Sequence, residues 1–262
     1  LEEEAQSFTY TLDWSALRRL GHYYSAFLQL QTQSGERIAG DDVELWRWLY
    51  PTNVWQVGDV VPDAHRLEFP VDLPPGAYRL VVGVYPVVGG WLSAFSPDGD
   101  PLGDAATIGW VKVPQREPPP SEPAALPVDA TLGNLFALRA VSAAYLDDGR
   151  VRLVLEWESL AQRPAVDATI FVHVTGADGQ NVAQDDGRPW GGQYPTFIWE
   201  LGERVRTEHL LDLQGAPVDD VCVFVGMYTL PDVSRLPVVQ NGESTSDARV
   251  SLGALGVLLQ DR

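Results

Sequence analysis

Cysteine, lysine and methionine are almost missing from this chain of 262 residues, which holds one of each, Cys222, Lys112 and Met227. A lone cysteine excludes an intrachain disulfide and a cysteine-rich zinc site. Cys222 stands in the run Val-Cys-Val-Phe-Val, where a thiol is expected to serve as a small apolar side chain of a strand. Basic residues number 18 against 36 acidic ones, a formal charge of −18. Such a field repels nucleic-acid phosphates and anionic lipid, so neither is a main partner, and the acidity is read as keeping the surface soluble. No stretch of about 18 uninterrupted apolar residues occurs, so a membrane-spanning helix is not expected. The most apolar segment, 78–95, is broken by Arg79, Pro86 and the pair Gly89-Gly90, and reads as strand, turn and strand. A secretory leader is also missing and the first strand begins soon after Leu1, from which we expect a piece of a longer protein.

Catalytic signatures are lacking too. There is no Gly-x-Ser-x-Gly elbow, no phosphate-binding glycine loop and no dinucleotide fingerprint. The four histidines, His22, His65, His173 and His209, include no two at metal-ligand spacing, so neither a metal nor a cofactor is expected. Residues 96–104, Ser-Pro-Asp-Gly-Asp-Pro-Leu-Gly-Asp, share the composition of a calcium loop. Pro101 and the absence of a distal glutamate break the EF-hand pattern, and a turn explains the run.

What is present, unmistakably, is a repeat. At an offset of 144 (179 − 35, from Gly35 and Gly179), residues 24–69 and 168–213 align without a gap, and 14 of the 46 positions are identical. Unrelated segments would match at roughly three, so the chain contains an internal duplication with a period too long for a solenoid. The densest part is 41–58 against 185–202. Its shared residues are Asp41/Asp185, Asp42/Asp186, Trp46/Trp190, Tyr50/Tyr194, Pro51/Pro195, Thr52/Thr196, Trp55/Trp199 and Gly58/Gly202, with His65/His209 just beyond.

Twenty prolines and 24 glycines point to many turns and few long helices. Phe8, Tyr10, Leu12 and Trp14 alternate with Thr9, Thr11 and Asp13, and Val151, Leu153, Leu155 and Trp157 alternate with Arg152, Val154 and Glu156, the period of half-buried strands. Gly83/Gly226 and Tyr85/Tyr228 continue the match at offset 143. The expected fold is all-β: two tandem Ig-like antiparallel β-sandwiches of about seven strands each. The first covers 1–113, the second 128–262, and 114–127 form a stiff proline-rich linker. The apolar tail 252–259 is expected to finish the last sheet. The first copy has no counterpart of 135–141 ahead of its Trp14 strand, which predicts an open sheet edge there.

Three chemistries are weighed for the repeat. Paired carboxylates serve glycosidases, but adjacent residues of a strand point to opposite faces, so neither Asp41/Asp42 nor Asp185/Asp186 acts as such a pair alone. His65 and His209, at equivalent positions, suit a hydrogen bond from a strand into the repeated loop. Aromatic rings can stack on sugar faces. Because Trp46, Tyr50, Trp55, Trp190, Tyr194 and Trp199 recur, they are read as structural together with the aspartates and His65 and His209. The unmatched Tyr23, Trp48, Trp91, Trp110 and Phe197 are the ligand candidates.

The marks Phe171-Val172-His173-Val174, Asp178-Gly179, Val182-Ala183-Gln184-Asp185-Asp186-Gly187, Gly192-Gln193-Tyr194-Pro195-Thr196, Trp199, Gly202-Glu203 and Val225-Gly226-Met227-Tyr228 form one pattern. The first copy repeats it in Tyr50-Pro51-Thr52, Trp55, Gly58-Asp59 and the segment 73–85. This pattern resembles a domain of unknown function that follows the multi-span region of large glycosyltransferase-like membrane proteins in Chloroflexus-type bacteria. The resemblance implies an extracytoplasmic β-sandwich ectodomain without catalytic residues of its own. The expected role is therefore a non-catalytic recognition or spacer module attached to a membrane-bound glycan-handling protein. Its expected partners are a glycan or a cell-envelope protein. A carbohydrate-binding module using the aromatic loops is the alternative, and a glycan-active enzyme a third reading.

Overall fold

The computed structural model describes residues 5–45, 49–86, 89–115 and 125–259. Trp46, Trp48 and most of the expected linker lie outside these residues. The chain divides into two units, Leu1–Pro114 and Gln115–Arg262, each built of antiparallel strands. No helix among the described residues is long and apolar enough to cross a membrane.

In unit 1 the strands are β1 (Ala5–Ser15), β2 (Tyr24–Gln31), β3 (Arg37–Glu44), β4 (Val60–Pro70) and β5 (Gly76–Pro86), then the short β6 (Ala94–Phe95) and β7 (Pro101–Gly103), and β8 (Ala106–Val113). β1 and β4 form a two-stranded sheet that packs on a four-stranded sheet of order β3-β2-β5-β8. The alternation that the sequence shows is the cause. In β4, Val61, Asp63, His65 and Leu67 point inward and are buried, while their neighbours are exposed. The acidic run 96–104 is the turn of the β6–β7 hairpin, closed by bonds from the Ser96 amide to the Asp100 carbonyl and from the Gly99 amide to the Ser96 carbonyl.

Unit 2 comprises β9 (Leu126–Leu132), β10 (Phe136–Tyr145), β11 (Val151–Ser159), β12 (Ala168–Gly176), β13 (Asn181–Gly187), β14 (Arg204–Leu211), β15 (Val221–Thr229), β16 (Ser234–Arg235), β17 (Val238–Gln240), β18 (Glu243–Ser244), β19 (Val250–Ala254) and the single turn α1 (Leu255–Leu258). One sheet has the order β14-β11-β10-β9-β17-β18; the other has β13-β12-β15, with β16 and β19 both on β15. Pairing registers repeat between the units. Trp14 lies opposite Val61 as Trp157 lies opposite Val205, and Phe27 opposite Gly83 as Phe171 opposite Gly226.

Four sequence expectations change. Among the described residues unit 2 holds eleven strands rather than about seven, because β16, β17 and β18 are too short to show a period. The tail 252–259 continues the sheet to Ala254 and then turns helical, burying Leu255 and Leu258. β9 begins at Leu126, inside the range expected for the linker. Cys222 is exposed: Val221, Val223 and Val225 take the inward face of β15, so alternation sends the thiol outward.

Candidate ligand-binding site

The repeated stretch is a clip, and nearly every shared residue has a bond in it. Pro51 and Pro195 open the 3-10 turns Thr52–Val54 and Thr196–Ile198, as their fixed φ and missing N–H favour. The Thr52 hydroxyl accepts from the Tyr24 amide and donates to the His22 carbonyl, at 3.0 and 3.1 Å. Thr196 does the same for the Ala168 amide and the Val166 carbonyl, both at 2.8 Å. Trp55 Nε1 donates to the Tyr50 carbonyl at 2.9 Å, and Trp199 Nε1 to the Tyr194 carbonyl at 3.0 Å. The Tyr50 and Tyr194 hydroxyls donate to Asp59 and Glu203, whose other bonds receive the Gln56 and Glu200 amides. Gly58 and Gly202 sit at φ 89° and 78°, where a side chain is disfavoured.

Each Asp-Asp pair splits across its strand. Asp185 turns to His209, whereas Asp186 lies 3.7 Å from His173 and meets the Tyr228 hydroxyl. Asp41 faces His65 at 3.9 Å, and Asp42 faces Arg37 at 3.6 Å. In unit 2 the histidine completes a chain of bonds. Trp157 Nε1 donates to the Thr207 hydroxyl at 3.0 Å, Thr207 Oγ1 lies 3.1 Å from His209 Nε2, and His209 Nδ1 lies 2.9 Å from Asp185. With the neutral ring, Thr207 donates to Nε2 and Nδ1–H donates to the carboxylate, so every group has a partner. Unit 1 has Asp63 where unit 2 has Thr207. That carboxylate closes on His65 Nε2 at 2.6 Å, and Trp14 Nε1 is buried without a hydrogen-bond partner among the described residues.

Beside this relay, at the end of β13, the turn after it and β14, opens a cleft of about 600 Å³ lined by Asp185, Arg188, Trp190, Arg206, Glu208 and their neighbours. Small-molecule sites occupy about 300–1,000 Å³. Trp190 has φ 53°, a left-handed conformation costly for a side chain of its size. Two interactions hold it there: Nε1 donates to the Arg206 carbonyl at 2.8 Å, and the ring centroid lies 4.6 Å from that of Tyr194. The residue remains 37% exposed. Ion pairs fix the charged groups: Arg188 with Asp167 at 3.2 Å, Arg206 with Glu156 at 3.0 Å and Glu208 with Arg152 at 2.8 Å.

The hydrogen bond from His209 holds the Asp185 carboxyl below its ordinary pKa, and that from Arg152 does the same for Glu208. A glycosidase needs one carboxyl kept protonated near neutral pH. Both carboxylates of the cleft are held the other way. The relay gives no nucleophile either, since Thr207 is buried and its oxygen is already shared between Trp157 and His209. No cluster of three or more potential metal ligands occurs among the described residues.

A pH dependence follows for Asp185. Its folded pKa is depressed, so its stabilising contribution is present above the unfolded value of about 4 and disappears as pH falls through the folded value. In urea unfolding, wild type should exceed Asp185→Asn in stability at pH 7. The gap should narrow steadily below about pH 4. A gap independent of pH would refute the assignment.

Of the aromatic ligand candidates, Trp91 and Trp110 are 56% and 42% exposed, Tyr23 is exposed and Phe197 half-buried. Trp91 is edge-on to Phe27 and Tyr85, each at 5.2 Å. None of these four lines the cleft. Trp55, Tyr194 and Trp199 are buried, but Tyr50 is at the surface. The residues missed from sequence are Arg188, Arg206 and Glu208. Their signal was divergence inside a retained frame: the first copy has Glu44, Pro62 and Ala64 at these positions.

No family model matches the sequence, and no curated protein is detectably similar. Among solved structures, the β-glucuronidase of Ruminococcus gnavus in complex with uronic isofagomine aligns at 11% identity and a TM-score of 0.22, over 96% of this chain and 35% of that one. The same enzyme with D-glucuronic acid gives 11% and 0.23, over 96% and 37%. This chain spans little more than a third of those proteins, and at that level of similarity neither fold nor activity passes to it.

Proposed function

We propose that the chain is a non-catalytic recognition module and that the cleft of unit 2 holds a carbohydrate. The cleft itself carries this reading: a half-exposed indole, Trp190, stands beside charged groups already fixed in ion pairs. Indole faces pack on the C–H face of a sugar ring. Oriented arginine and carboxylate groups take its hydroxyls at little further ordering cost. The clip supports the same view, because it keeps the scaffold constant in both units while the cleft charges differ. The extracytoplasmic setting and attachment to a membrane-bound glycan-handling protein extend the proposal, and rest on the sequence resemblance.

The test is titration of the whole chain with a glycan panel, followed by tryptophan fluorescence and calorimetry. One glycan class should bind saturably, and Trp190→Ala should weaken it at least tenfold, about 1.4 kcal/mol. Arg188→Met, which keeps the side-chain length, should weaken it as well. Binding that survives both changes, or no binding across the panel, would overturn the reading.

A further inference from the structure

The charged side chains around the cleft of unit 2 differ in how far they reach solvent. Arg206 is withdrawn: its side chain is 12% exposed and its guanidinium is committed to Glu156. Arg188 is 45% exposed and paired with Asp167. The carboxylates stand forward, with side-chain exposures of 39% for Asp185 and 53% for Glu208. A ligand entering the cleft therefore meets two carboxylates and one well-exposed guanidinium.

Both carboxylates are oriented from behind and retain acceptor capacity. His209 Nδ1 bonds Oδ2 of Asp185, and an Arg152 guanidinium nitrogen donates to Oε1 of Glu208 at 2.8 Å. The Leu210 amide adds a bond to Asp185. An ionised carboxylate offers about four acceptor positions on its two oxygens, so each group can take more. These bonds also hold both carboxyls below their ordinary pKa, so near neutral pH the two side chains accept hydrogen bonds and donate none. Trp157, Thr207 and His209 are all buried, so the ring that orients Asp185 is itself locked by the core. Of this set unit 1 keeps only the aspartate and the histidine: Glu44, Pro62 and Ala64 stand for Arg188, Arg206 and Glu208, and Asp63 stands for Thr207. One such site per chain is expected.

We propose that the cleft selects an uncharged sugar over its uronic-acid counterpart, with sugar hydroxyls donating to Asp185 and Glu208, Arg188 donating to a sugar oxygen, and Trp190 covering an apolar face of the ring. This inference rests on the carbohydrate reading above and narrows it to a class. Two arguments select that class. A hydroxyl is a donor as well as an acceptor, so it replaces the water that a carboxylate gives up on binding. A uronate carboxylate has no donor to offer, finds both guanidinium groups already engaged, and stands against two like charges in a chain of formal charge −18. Like charges brought into contact are a means of rejecting the wrong partner.

The probes are oligosaccharides ending in glucose, galactose or mannose, each matched with one ending in the corresponding uronic acid. They are titrated into the whole chain near neutral pH, at about 0.05 M and about 0.5 M sodium chloride, and followed by calorimetry and tryptophan fluorescence. At least one neutral sugar should bind, one per chain, roughly tenfold or more tighter than its uronate. Its affinity should change less than about twofold with salt, while the uronate should gain as its repulsion is screened. Asp185→Asn and Glu208→Gln keep shape and remove charge, and each should shrink the gap between the matched sugars to about threefold or less. A uronate that binds as tightly as its neutral partner, or neutral binding that falls steeply with salt, would overturn the selectivity while the carbohydrate reading stood. Binding by no member of either series would remove both.

Discussion

Gly226→Val should destabilise unit 2 by about 3 kcal/mol, at the upper end of what overpacking a core usually costs. A Cβ at this position would lie 2.4 Å from Cζ of Phe171 and 3.2 Å from the Ala248 carbonyl, before the two further methyl groups are counted. Phe171 is buried and stands directly across from Gly226 in the ladder, so its ring has no open direction in which to retreat. The ring lies over the glycine, filling the place of the missing side chain. Phe27 over Gly83 repeats the arrangement, with a Cβ contact of 2.3 Å. Chemical denaturation of the single variants and of Phe171→Leu with Gly226→Ala measures the coupling. The double variant should lose less than the sum of its parts, because removing the ring tip relieves the clash. Strict additivity would mean that ring and glycine are not coupled.

Trp199→Ala should cost about 3–5 kcal/mol, the range for emptying a buried aromatic site. Trp199 is fully buried, stands edge-on to Phe136 at 5.5 Å, and donates to the Tyr194 carbonyl inside the clip. Removing it therefore opens a cavity and strands a carbonyl. Trp199→Phe keeps most of the volume and loses the donor, so its cost should stay near 1 kcal/mol. A similar loss from both variants would show that the hydrogen bond, not the ring, holds the clip. Calorimetry on the two variants decides it.

The clip was legible because its bonds are local. Tyr, Pro, Thr, Trp and Gly stand within nine positions of each other and recur at one offset, so identity marked the residues that the fold uses. The long strands were legible from period two, most clearly in β1, β11 and β14. The cleft was not. Arg188, in the turn after β13, and Arg206, on β14, line one cleft although 18 positions separate them, and the left-handed backbone of Trp190 leaves no sign in the sequence. Reading recurrence as purely structural also placed Trp190 with the core, although its ring is partly in solvent. Cys222 illustrates the reverse case. Its neighbours Val221 and Val223 fix which face it takes, and the apolar run around it concealed that alternation.

The matched registers of β1–β4 and β11–β14 bear on how the protein came to be. Each copy closes its clip with residues of its own, Tyr24 and His22 in one and Ala168 and Val166 in the other. Duplication thus left two self-sufficient scaffolds rather than two halves of one. Selection on the frame was satisfied twice over, and each copy was free to specialise. One gathered charge around a tryptophan; the other set Asp63 against His65 where its twin has a threonine.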